Sequence, residues 1–142
     1  ITSGLKRLDG GKGSVEAAES GAPGFIQPAN LHHWVYPEKL KGHLWMGDTL
    51  YNFATIDRKL FEKIVDTRAG QKFNHLRGLV FPLDPKTAQP FLAPDEPNLD
   101  FFRELDQRIA YVNQVGMVMD LVLGADNDSL AQAFPTWQQR ER

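Results

Sequence analysis

Cysteine is absent from the 142 residues, so the chain has neither disulfides nor thiolate chemistry at its disposal. An excess of charge is missing too. Sixteen Lys and Arg stand against 18 Asp and Glu, a net charge of −2 with a pI near 6.1. With the cations scattered rather than clustered, nothing favours nucleic acid or an anionic membrane as a partner. No apolar run approaches the ~20 residues that span a bilayer. No Gly-x-Gly-x-x-Gly or Gly-Lys-Ser/Thr follows an expected strand, which removes the best-known phosphate loops. His32, His33 and His43 do not form an i, i+4 pair with a neighbouring carboxylate, as a zinc motif would require. Asp126-Asn127-Asp128 lacks the Gly and distal Glu of a calcium-binding EF-hand loop. No metal and no cofactor is expected. An initiator Met and a charged-then-apolar leader are also missing, and residues 135–142 read as a helix just begun; both ends therefore read as cuts.

What is present is ordinary for a globular chain: 42% hydrophobic and 24% charged residues. Residues 1–37 read as a β-rich lead-in, with short strands at 14–17, 24–27 and 32–36 separated by Gly, Pro and Asn. These should form a small antiparallel element of their own. From residue 38 onward the pattern becomes strand, helix, strand, helix, strand. Strands are expected near 43–47, 75–81 and 117–123, and helices near 57–69 and 98–115. Leu60, Phe61, Ile64 and Val65 line one helical face; Phe102, Leu105, Ile109 and Val112 line the other. Residues 82–97 carry five prolines and read as an irregular loop. Strands alternating with amphipathic helices imply βαβ units and a parallel sheet, either closed into a barrel or doubly wound.

Leu44-Trp45-Met46-Gly47-Asp48-Thr49-Leu50-Tyr51-Asn52-Phe53, then Arg68-Ala69 and Phe73-Asn74-His75-Leu76-Arg77-Gly78, resemble the start of the apiosidase-like glycoside hydrolases, barrels of the clan A type. Gly116 to Leu123 resembles their third strand, and Phe134 to Arg142 the helix after it. The resemblance covers about residues 24–142 and departs at Lys72, where relatives usually have Gly, and at Tyr51, where Trp is common. It implies an α/β fold: the first three βα units of a (β/α)8 TIM barrel. It also implies cleavage of glycosidic bonds in a polysaccharide by two carboxylates, and a secreted or periplasmic location. In such barrels the carboxylates end the fourth and seventh strands. No catalytic residue is therefore expected here, and the fragment alone should be inactive. The alternative is a carbohydrate-binding barrel without catalytic acids.

Three residues are candidates for contact with a carbohydrate substrate: Asp48, Arg77 and Asn127. Asp48 ends the first expected strand, where it either reaches a sugar hydroxyl or caps the next turn. Arg77 interrupts an apolar strand and cannot shed its proton, so it needs a partner; the resemblance implies the carboxylate nucleophile, and a position near Asp48. Asn127 lies in the loop after the third strand, with Asp126. Asp120 reads as a core partner for Arg77 or a neighbouring strand. Glu104 and Asp106 read as solvated. Trp34, Trp45 and Phe91 can stack on sugars, with a core role the plainer account, above all for Trp45.

Overall fold

A computed structural model describes residues 13–18, 24–30, 32–37, 41–84, 86–93, 96–124 and 136. The chain divides into two units, 1–43 and 44–142. In the first, β1 (Gln27–Ala29), β2 (His33–Tyr36) and β3 (Lys41–His43) form an antiparallel sheet in that order. Asn30 (φ 51°) makes the turn after β1, a left-handed position that Asn tolerates better than most residues. An antiparallel element forms, but of the expected strands only 32–36 nearly coincides, and 24–27 gives way to Gln27–Ala29. Residues 14–17 are not a strand, and His43 closes this sheet instead of opening the parallel one.

In the second unit the order is β4 (Gly47–Thr49), α1 (Arg58–Gly70), β5 (His75–Leu79), β6 (Phe91–Ala93), β7 (Glu96–Pro97), α2 (Leu99–Gln114) and β8 (Val118–Val122). β4, β5 and β8 pair side by side, all parallel, as the alternating pattern implied. Asp57 starts α1 by accepting the N–H of Leu60, one of the donors a helix cannot satisfy internally. Asn98 does the same for α2 through the N–H groups of Asp100 and Phe101. Phe61 and Val65 of α1, Leu105 and Val112 of α2, and Leu76 of β5 then share one core with Phe53, Val80, Phe81 and Met117. Both helices thus lie on one face of the sheet.

The helices end in the same turn. After α2, Gly116 (φ 82°) donates to Asn113 and Met117 to Val112, at 3.0 and 3.1 Å. After α1, Lys72 (φ 69°) donates to Ala69 and Phe73 to Arg68, both at 3.0 Å. This is the Schellman arrangement, which needs a left-handed residue and normally uses Gly. Lys72 adopts it at a cost on the order of 1 kcal/mol.

The proline-rich segment is not wholly irregular. β6 and β7 pair antiparallel around a register shift, with Asn98 donating its backbone N–H to Pro90 and its side-chain amide to Gln89, at 2.8 and 2.9 Å. In a two-stranded ribbon every residue is at an edge, so Pro97 interrupts no longer ladder.

Candidate functional site

The two faces of the parallel sheet carry different chemistry. Side chains alternate along a strand, and Leu76 and Met119 pack toward the helices. His75, Arg77 and Leu79 of β5 therefore project from the other face, opposite Val118, Asp120 and Val122 of β8. Gly47 and Thr49 of β4 join them, as the register partners of His75 and Arg77.

At the amino-terminal end of this face the indole of Trp45 lies flat on His75, with centroids 3.7 Å apart and planes 9° apart. Gly47 leaves room for it: a Cβ there would stand 3.2 Å from the indole Nε1. Asn74 fixes the backbone on either side of Trp45. Its Oδ1 accepts the Met46 N–H at 2.8 Å and its Nδ2 donates to the Leu44 carbonyl. His75 is buried, while 38% of Trp45 stays exposed, so Trp45 is a half-open lid on His75 rather than a core residue.

Asp120 joins this layer to Arg77. One carboxylate oxygen lies 3.5 Å from His75 Nδ1 and the other 3.8 Å from Arg77 Nη2. The second distance is too long for a close bidentate pair, and 54% of the Arg77 side chain is exposed. Such a pair contributes at most about 1 kcal/mol, so the planar fork is held over the face without being consumed.

Asp48 lies elsewhere. It is in register with Leu76, on the helix side, where its carboxylate pairs with Arg68 of α1. The Thr49 N–H donates to it at 2.8 Å. That bond first, and Arg68 after it, draw the carboxyl below its ordinary value against an opposing effect of burial. Arg68 in turn bonds Gln71 at 2.8 Å and covers the Phe73 ring at 5.3 Å. Asp48 thus ties β4 to the end of α1. Asp48 and Arg77 do not lie together as expected: their register partners, Leu76 and Thr49, fall on opposite faces of the sheet. Asn127 and Asp126 lie outside the described residues.

Among the sequence candidates, the structure brings together Arg77 and Asp120. Phe91 packs between Phe81 and Phe102, at 5.9 and 6.1 Å, in a core role. Glu104 is not merely solvated: it accepts from Arg58 at 3.2 Å and from buried Arg108 at 2.8 Å. Sequence reasoning missed His75 and Arg108. The signal for Arg108 was an arginine between Leu105 and Val112 on the apolar face of α2; His75 stood at a strand start and gave none. Among the described residues, no group of three or more His, Asp or Glu side chains is placed to hold a metal ion.

No family model matches this sequence, and no curated protein matches it. Among solved structures, the chain is similar to a "putative glycoside hydrolase from Bacteroides vulgatus ATCC 8482", with a TM-score of 0.67 and 20% identity. The fold is mixed α/β and similar to the matched part of that protein. The match covers 98% of this chain and 34% of that chain, so these residues span about a third of the length of the Bacteroides protein. At that identity the likeness concerns the fold and not the chemistry.

Proposed function

We propose that this chain forms the first three strand–helix units of a (β/α)8 barrel in a glycoside hydrolase of the apiosidase-like kind. The observation that supports it most is the loosely paired Arg77 on the face of the parallel sheet turned away from the helices. In a closed barrel that face is the interior. A guanidinium there, anchored by Asp120 but with most of its donors uncommitted, suits a carboxylate supplied by a later strand. It would hold that group ionised, as one of the two acids of glycoside cleavage must be. The substrate is a polysaccharide, and the protein works outside the cytoplasm, in the medium or the periplasm.

The test is turnover of aryl glycosides and plant polysaccharides by the full-length protein. It should be abolished when carboxylates at the fourth and seventh strand ends become amides. The 142-residue chain alone should cleave none of them, and measurable turnover by it would refute the placement of the acids elsewhere. Binding of oligosaccharides by the full-length protein without any cleavage would replace this reading with a non-catalytic carbohydrate-binding barrel.

A further inference from the structure

The turn that leaves β4 is held from every side. Leu50 donates to the Arg77 carbonyl at 2.7 Å and Leu79 donates to the Tyr51 carbonyl at 3.2 Å, which pins the start of the turn to the end of β5. Within the turn, Phe53 donates to Leu50 at 3.0 Å, and Thr55 and Ile56 donate to Asn52 at 2.9 and 3.1 Å. The Phe53 ring is fully buried and presses on Gly78, where a Cβ would meet its Cδ1 at 2.2 Å. From α2, Arg108 donates to the Phe53 carbonyl at 2.7 Å, with its guanidinium 5.1 Å from the Phe61 ring centroid. A buried arginine stays charged, so its burial is tolerated only because these partners satisfy it.

Two side chains take no part in this bracing. Tyr51 is 54% exposed and Asn52 is exposed. Neither side chain makes a hydrogen bond, ion pair or ring contact with another of the described residues. They stand at the carboxyl ends of parallel strands, the side on which α/β barrels and open sheets bind their ligands.

We propose that Tyr51 and Asn52 form a saccharide-binding subsite and that Arg108 is its positioning residue. The phenol ring offers a flat apolar face to the C–H face of a pyranose, and the neighbouring amide both donates to and accepts from ring hydroxyls. A turn already fixed by Arg108 and Phe53 loses little freedom when the sugar docks. The class of ligand rests on the functional reading above.

The experiment titrates the full-length protein with cello-, xylo-, manno- and galacturono-hexasaccharides by calorimetry, and measures KM and kcat for any that is cleaved. Tyr51→Ala should weaken binding about fivefold or more, with the melting temperature unchanged and affinity recovered in Tyr51→Trp. Asn52→Ala should weaken binding by a smaller factor. Arg108→Lys should weaken binding when Tyr51 is present and by a smaller factor in the Tyr51→Ala background, where only Asn52 remains to be positioned; fully additive losses would remove Arg108 from the subsite. If the wild type binds or cleaves an oligosaccharide and Tyr51→Ala changes neither Kd nor KM, the subsite is wrong while the hydrolase reading stands. Tyr51-dependent binding without cleavage would keep the subsite and remove the hydrolase reading. Failure to bind any of the four overturns both.

Discussion

Asp120 stands directly across the ladder from Arg77, one carboxylate oxygen 3.8 Å from its Nη2 and the other turned toward His75. The carboxylate is shared between a buried ring and an exposed guanidinium. It therefore steers Arg77 over the sheet without saturating it.

Arg77→Lys in the full-length protein should lower turnover far more than stability. A lysine keeps the charge but not the planar fork that meets a carboxylate with two parallel bonds. The structural loss should stay within about 1 kcal/mol, the range of exposed ion pairs. Steady-state kinetics beside thermal melts decide the matter. A large drop in melting temperature with turnover per folded molecule unchanged would make Arg77 a structural partner only.

Gly78→Ala should destabilise the second unit by about 1–3 kcal/mol, as overpacking of a tight core does. The added Cβ would meet Phe53 Cδ1 at 2.2 Å and the Leu50 carbonyl oxygen at 2.9 Å, and the carbonyl belongs to the braced turn and cannot retreat. Gly70→Ala is the natural control, since a Cβ there meets nothing within 4 Å. Urea denaturation should show Gly70→Ala neutral or stabilised by about 0.5–1 kcal/mol, the helix preference of Ala over Gly.

Lys72→Gly should raise stability by up to about 1 kcal/mol, by removing a side chain from a left-handed position. Gly116→Ala, at φ 82° in the matching turn of α2, should lower it by a similar amount. Opposite shifts of the denaturation midpoint in the two variants are the expected result. Shifts of the same sign would show that the turns are not equivalent.

Sequence periodicity reached the helices almost to the residue, because Asp57 and Asn98 are the caps and each stands within three residues of the start of an apolar face. It also placed β5 and β8, whose apolar residues flank a single charge in each strand. It misplaced β4, because Leu44, Trp45 and Met46 read as strand interior, whereas a side chain 28 residues away from Met46 organises them. The site was legible where a charge interrupts a buried pattern, as at Arg77 and Asp120. It was not legible at Asp48, because a one-residue difference in where a strand begins turns a side chain to the other face. His75 stayed hidden because nothing local announces that a distant Trp will stack on it.

Asp48 should contribute to the acid limb of stability. Its folded-state value lies below the ordinary one, drawn down by the Thr49 N–H and by Arg68. The contribution is therefore complete above about pH 4, the unfolded value, and is lost as pH falls through the folded one. Denaturation midpoints measured across this range should show Asp48→Asn less stable than the wild type at neutral pH. The two should converge in strong acid. A constant gap at every pH would mean that the ionised form of Asp48 gains nothing on folding.

Asn74 behaves as a spare peptide unit. Its amide presents one donor and one acceptor to Leu44 and Met46, so a side chain continues the pairing of β4 beyond its first residue. That substitution makes the edge of the sheet vulnerable to chemical ageing in a way a backbone ladder is not. Loss of the amide nitrogen by hydrolysis would preserve the acceptor for Met46 but set a negative oxygen against the Leu44 carbonyl. The indole on His75 would then lose one of the two anchors that flank it, with no break anywhere in the chain.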